Sequence, residues 1–351
     1  MIKVLVVDDS AFMRKVLSDF IDTSLNMEVK ATARNGEDAL KKLSQERFDV
    51  ITLDIEMPVL DGLATLQAIM EHDRIPTIMV SSTTALGTEN TIKALSLGAV
   101  DVVRKPGGAI SLSMEEVKEE LLQKIETAAS INLNKLEKRP ARKRSAAPLS
   151  FEPDGKKLVL IGTSTGGPKA LQQVLTDLPR DFSVPVLIVQ HMPPKFTKSL
   201  AARLNSLTSL TVKEGEDGEI VQNRTIYIAP GGSHMEVKMT GRSVTIQLSD
   251  APPIKGHRPS VDSLFLSAYQ LEDYAAVAVI LTGMGDDGSN GLHYLKQAGN
   301  CYAIAEDEST SIVYGMPKAA EAACELDAVV SLPDVAAEIV AATNQTVDGM
   351  N

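Results

Sequence analysis

Lys3-Val4-Leu5-Val6-Val7-Asp8-Asp9-Ser10 is the stretch that decides the architecture. Four successive apolar residues, three of them β-branched, read as a strand buried on both faces. That is the habit of a parallel sheet, since antiparallel strands more often alternate apolar with polar. The same grammar recurs outward from this run. Strands are expected at Glu28–Ala33, Val50–Leu53, Thr77–Val80 and Asp101–Val103. Helix-like stretches lie near Ala11–Ile21, Glu37–Gln45, Leu63–Glu71, Glu89–Leu97 and Glu115–Ala128. Five β-α repeats predict a five-stranded parallel sheet with helices on both faces.

The 351 residues suggest two domains, and 44% hydrophobic content lets each bury its own core. A net charge of −11 argues against a nucleic-acid partner, which needs basic surface. Cys301 and Cys324 make no disulfide framework and fit a reducing compartment. No apolar run approaches the ~18 residues of a membrane span, and the apolar start is too brief for a signal-peptide core. A cytoplasmic protein without membrane insertion is expected.

The pattern breaks near Ile131–Gly155, where Lys135, Lys138, Arg139, Arg142, Lys143 and Arg144 cluster with Pro140, Pro148 and Pro153. This reads as a linker, helical at its start, with a solvated basic run that could alternatively dock acidic partners. The boundaries are 1–125 for the first domain, 126–154 for the linker and 155–345 for the second domain. Beyond it, Lys157–Ile161, Val184–Gln190, Ala276–Leu281 and Cys301–Ala305 read as buried strands. Val212–Gly241 has short alternating runs and the turn Met239-Thr240-Gly241-Arg242, which suggests antiparallel hairpins inserted in a doubly wound α/β domain.

In parallel α/β sheets function gathers at the carboxyl ends of strands. Asp8, Asp9 and Asp54 fall there. Three clustered oxygens suit Mg²⁺, and a cation would offset their repulsion while one attacks a phosphoryl group. Ser81 after the fourth strand could donate to a phosphoryl oxygen, and Lys105 after the fifth supplies a cation. Each residue alone could equally be a turn or helix-cap residue. Together with Val7-Asp8-Asp9-Ser10, Asp54-Ile55-Glu56-Met57-Pro58, Asp61-Gly62 and Lys105-Pro106, they resemble the receiver domains of bacterial response regulators. The resemblance implies a flavodoxin-like fold and phosphorylation of Asp54 by a histidine kinase. It also implies Mg²⁺ held by Asp8, Asp9 and Asp54, sensing of the phosphoryl group by Ser81 and Lys105, and a cis Lys105–Pro106 bond. Where receivers often carry an aromatic switch residue, this chain has Val102.

In the second half, Leu160-Ile161-Gly162-Thr163-Ser164-Thr165-Gly166-Gly167-Pro168 follows a strand and precedes a helix-like stretch. Flanking glycines permit a sharp turn that presents the Ser164 hydroxyl. A nucleophile, an anion-binding loop and a plain turn all fit this string. His191, in Val189-Gln190-His191-Met192-Pro193-Pro194, closes the next strand and could act as general base. Leu281-Thr282-Gly283-Met284-Gly285-Asp286-Asp287-Gly288 offers a carboxylate to orient it, or an N-cap for the next helix. The order Ser, His, Asp differs from that of an α/β-hydrolase, whose carboxylate precedes its histidine. His234, His257 and His293 lack metal-ligand spacing and read as structural or surface residues. His257-Arg258-Pro259-Ser260-Val261-Asp262 reads as a surface loop or cleft lining.

Together the three strings resemble the catalytic domain of the CheB family of protein-glutamate methylesterases/glutaminases. The resemblance implies Ser164 as nucleophile, His191 as base and Asp287 as orienting acid, with Asp286 its competitor. Oxyanion stabilisation falls to the Met284 N–H with help from Thr165, and the hydrolase needs no cofactor. It implies demethylation of glutamate γ-methyl esters and deamidation of glutamines on methyl-accepting chemoreceptors, a histidine-kinase phosphodonor, and a monomer. A receiver with a non-catalytic binding module and a DNA-binding regulator are the readings from other classes.

Overall fold

The computed structural model describes residues 1–82, 84–106, 114–131 and 156–344. They fall into two compact units, one within residues 1–135 and the other within 136–351. Residues 132–155, which hold most of the expected linker and its basic run, lie outside the described residues.

The first unit runs β1 (Ile2–Val7), α1 (Ala11–Ile21), β2 (Met27–Ala33), α2 (Gly36–Leu43), β3 (Val50–Asp54), α3 (Gly62–His72), β4 (Thr77–Ser81), α4 (Ala85–Leu97), β5 (Asp101–Arg104) and α5 (Met114–Ser130). All strands pair in parallel, in the order β2-β1-β3-β4-β5. Val4, Leu5, Val6 and Val7 are buried, as their unbroken apolar run requires. α1 packs beside α5, and α2, α3 and α4 pack in succession. α5 buries Val117, Leu121, Ile125 and Ala128, one stripe at helical spacing. α4 begins four residues before the expected Glu89, because Thr84 caps it by accepting from Gly87 N–H at 3.0 Å.

The second unit runs β6 (Lys156–Thr163), α6 (Gly167–Asp177), β7 (Val186–Gln190), α7 (Phe196–Leu207), β8 (Thr211–Glu214), β9 (Thr225–Ile228), β10 (His234–Thr240), β11 (Ser243–Ser249), α8 (Val261–Tyr269), β12 (Tyr274–Ile280), α9 (Ser289–Gln297), β13 (Cys301–Glu306), α10 (Met316–Ala323), β14 (Ala328–Val330) and α11 (Leu332–Asn344). Seven parallel strands are ordered β14-β13-β12-β6-β7-β9-β8. α6 contacts α7 and α11, and α9 contacts α8 and α10.

An antiparallel hairpin is inserted as expected, but it takes up only part of Val212–Gly241. Only β10 and β11 pair antiparallel, around the Thr240–Ser243 turn. β8 and β9 instead extend the parallel sheet. β8 is a four-residue edge strand with Val212 as its one buried residue and β9 is buried beside it, and so short a pattern does not encode the direction of the partner.

In each unit the chain leaves its first strand toward one side of the sheet and later returns to the other. The resulting crevices lie between β1 and β3 and between β6 and β12, where such folds bind ligands.

Candidate active site

In the first unit, register sets the cluster. Val7 lies opposite Leu53, and Asp54 opposite Val80, so Asp8 and Asp54 leave the sheet at one level. The five expected residues come from four strand ends, because β2 contributes none. Asp8, Asp9 and Asp54 each offer an oxygen within 4.8 Å of the others, a set that suits a hard divalent cation. Lys105 Nζ lies 2.7 Å from Asp54 Oδ2 and 3.1 Å from Asp8 Oδ2. Burial pushes the Asp54 carboxyl up to about 6, with Lys105 opposing and Asp8 reinforcing the shift. Burial works against the charge on Lys105, yet Asp54 and Asp8 leave its pKa above the ordinary lysine value.

Ser81 Oγ accepts from Thr91 Oγ1 at 2.7 Å and lies 3.2 Å from the carbonyls of Ser82 and Gly87. Asp61 caps α3 by accepting from Ala64 N–H, so its place in the motif is explained by helix capping. Val102 is buried. Lys105–Pro106 is not cis; the cis peptide among the described residues is Arg258–Pro259. A trans bond is the commoner X–Pro state.

In the second unit, β6 is flanked by β7 and β12. His191 N–H donates to Thr163 O at 3.2 Å, and Ser164 N–H donates to Thr282 O at 3.0 Å. These two bonds carry the ladders one step past the strands and bring the three strings together. Gly166 adopts φ +80°, and Gly167 N–H donates to Ser164 O at 2.8 Å, closing a tight turn into α6. A side chain at Gly283 would place its Cβ 2.9 Å from the Ser164 Cβ. Thr165 is buried, and its carbonyl accepts from Thr282 Oγ1 at 2.9 Å. Met284 is 37% exposed, on the same loop as Asp287.

His191 Nε2 lies 2.8 Å from Asp287 Oδ2. An ionised carboxylate only accepts, so Nε2 carries the proton and Nδ1 keeps a lone pair. That Nδ1 is buried and has no hydrogen-bond partner. Asp287 is held by more than the histidine. Its Oδ1 accepts from Ser260 Oγ at 2.8 Å and Asp262 N–H at 3.0 Å, and its Oδ2 from Val261 N–H at 2.7 Å. Burial raises the Asp287 carboxyl, but His191 and these backbone donors outweigh it and hold the group well below the usual carboxylate range.

The N-cap alternative for Asp287 is therefore half right. Gly288, not Asp287, sits at the N-cap of the following α9. Asp287 satisfies N–H groups at the start of α8. Asp262 in turn accepts from Gly288 and Gly291 at the start of α9. Two helices thus exchange carboxylate caps, an arrangement favoured by the positive helix N-terminus. Asp286 points elsewhere: its Oδ2 lies 3.1 Å from Lys255, which also reaches Asp262. Asp287, not Asp286, contacts His191.

Three residues here escaped sequence reasoning. Ser260 and Asp262, at the end of the string expected as surface loop or cleft lining, are buried beside Asp287. His257, read as structural or surface, stacks on His191 with ring centroids 3.9 Å apart and planes 8° from parallel. Metal-ligand spacing was the wrong filter, because stacking between distant loops leaves no spacing signal. His234 and His293 have backbone carbonyls of Pro252 and Ala323 as ring partners. Among the described residues, no helix is long and apolar enough to cross a membrane.

Comparison with known proteins places both units in known families. Residues 159–339 match the family model of the CheB methylesterase, and residues 4–115 match the response regulator receiver domain. A protein-glutamate methylesterase/protein-glutamine glutaminase of Halalkalibacterium halodurans is 52% identical over 97% of each chain. That of Bacillus subtilis is 47% identical over 97% of this chain and 98% of its own. The crystal structure of the Thermotoga maritima CheB methylesterase catalytic domain aligns with a TM-score of 0.50 and 42% identity, over 53% of this chain and 98% of its own. A receiver domain, a CheB methylesterase domain and full-length relatives at about half identity lead to one conclusion: this chain belongs to the CheB family of protein-glutamate methylesterases/protein-glutamine glutaminases.

Proposed function

We propose that the chain is a phosphorylation-activated hydrolase that demethylates glutamate γ-methyl esters on chemoreceptors and deamidates receptor glutamines. One observation carries the catalytic reading. The buried His191–Asp287 pair leaves an unpartnered Nδ1 on the loop beside the Ser164 turn.

Ser164 Oγ attacks the ester carbonyl as its proton passes to His191 Nδ1. Asp287 stabilises the imidazolium that forms. N–H groups of the surrounding loops, that of Met284 first among them and with help from Thr165, stabilise the tetrahedral oxyanion. Collapse expels methanol, protonated by His191. Water then gives its proton to His191 and attacks the acyl-serine, releasing glutamate and restoring Ser164. A glutamine amide follows the same path with ammonia leaving. Each product adds a negative charge to the receptor.

Asp54 is the proposed phosphoryl acceptor, with a histidine kinase as donor. Asp8, Asp9 and Asp54 would hold Mg²⁺, which supplies charge neutralisation for the incoming phosphoryl group. Lys105 pairs with the anion, and Ser81 would exchange its present carbonyl contacts for a phosphoryl oxygen. The expected boundary at 125 falls inside α5, which runs to Ser130 and buries Ala128 in the first unit, so we end the receiver at Ser130 and assign 155–345 to the hydrolase.

Mass spectrometry of enzyme quenched during turnover tests the mechanism. An acyl group on Ser164 is expected. Turnover by a folded Ser164→Ala variant would exclude Ser164 as nucleophile.

A further inference from the structure

Thr282 lies under the nucleophile turn and is 1% exposed. Its carbonyl accepts from Ser164 N–H at 3.0 Å and from Thr163 Oγ1 at 2.9 Å. Its hydroxyl donates to Thr165 O and accepts from Val313 N–H, both at 2.9 Å. Its N–H donates to Glu306 Oε2 at 2.8 Å. One residue thus ties together the backbone of Ser164, that of Thr165 and the Val313 loop, and Glu306 holds that residue in turn.

Glu306 ends β13 with no exposed surface. Its Oε1 has no hydrogen-bond partner, and among the described residues no ion pair reaches it. The ionisable group facing it is Asp307, also an acid. A carboxylate buried beside another acid without a cation is costly, so the uncharged form is favoured. Neutral Glu306 still offers an acceptor oxygen to Thr282 N–H.

We propose that Glu306, as an uncharged buried acid, is a positioning residue for the hydrolase, holding the Thr282 junction that shapes the Ser164 turn. The inference rests on the reading of Ser164 as nucleophile. Ionisation of Glu306 would place an uncompensated charge beneath a site where an oxyanion must form, and would favour rearrangement of the junction. Burial pushes the Glu306 carboxyl up to about 7, against the pull of the Thr282 N–H and the Thr310 hydroxyl. The loss of activity therefore falls near neutral pH.

The test measures methanol release from methyl-esterified receptor by the full-length chain, with phosphodonor and Mg²⁺, across pH. Wild type should lose kcat with one-proton dependence above about 7. Glu306→Gln, an uncharged isostere, should keep the low-pH kcat and lose the alkaline fall. Glu306→Ala should lower kcat at every pH with KM unchanged; if it does not fold, the Gln variant decides alone. The inference is overturned if Glu306→Gln shows the wild-type alkaline fall, if wild type shows no such fall, or if folded Glu306→Gln is inactive. Activity of Ser164→Ala would instead sink the underlying reading and leave the Glu306 profile to be judged separately.

Discussion

Asp54, at the end of β3, and Asp287, in the loop between β12 and α9, are both buried carboxylates, yet their electrostatics run in opposite directions. Asp287 receives four donors: a serine hydroxyl, two N–H groups at the start of α8, and the imidazole. Asp54 receives Lys105 and a single backbone N–H, from Glu56 at 3.3 Å, and shares its site with Asp8. The first is locked as an anion and suits orientation of a base. The second is raised toward neutrality and suits a group that must itself react once a cation joins it. The count of donors, more than depth of burial, decides which role a strand-end aspartate can take.

The largest expected effect breaks the comparison at the catalytic end. Asp287→Asn cannot stabilise the imidazolium and should lower kcat by about 10⁴-fold. Asp54→Asn should instead abolish the acceleration that a phosphodonor brings. Equal loss from both variants without any phosphodonor would remove the distinction between them.

Thermal unfolding across pH, with a chelator present, is the next test. The folded-state pKa of Asp54 is raised, so its contribution to stability is present at low pH and lost as pH rises toward about 6. That of Asp287 is lowered, so its contribution is present above the ordinary carboxylate range and lost as pH falls. Near neutral pH, Asp54→Asn should raise the melting temperature and Asp287→Asn should lower it. Shifts of the same sign would refute the contrast.

Much of this contrast was legible beforehand, for a physical reason. Asp8, Asp54, Ser81 and Lys105 each follow a short apolar strand, so local pattern alone locates them. Ser164 and His191 likewise each follow a buried strand. The support of Asp287 was not, because Ser260 and Asp262 reach it from 27 and 25 residues away through helix-start geometry. His257 sits 66 residues from the ring it stacks on and carries no periodic signal (257 − 191). β8 and β9 were misread because strand direction is a property of the assembled sheet.

His257 gives a smaller effect. A ring stacked on His191 fixes its orientation, an interaction of about 0.5–1.5 kcal/mol. His257→Ala should lower kcat roughly threefold to tenfold by that figure, and His257→Phe should recover most of the loss. No difference between the two variants would mean that the stack does not matter. The smallest change in kcat is Ser260→Ala, which removes one of the four donors to the Asp287 anion at a cost of about 1.5–3 kcal/mol that falls mainly on stability. The expected signature is a slightly lower kcat and a lower melting temperature, and an unchanged protein would show that the donors are redundant.

The central claim is that Asp54 governs chemistry at Ser164. The most direct test follows methanol release from methylated receptor as Mg²⁺ and a small-molecule phosphodonor are added to the full-length chain. Wild type should accelerate, Asp54→Asn should not, and Ser164→Ala should release no methanol under either condition. Methanol from Ser164→Ala, or wild-type acceleration by Asp54→Asn, would contradict the account.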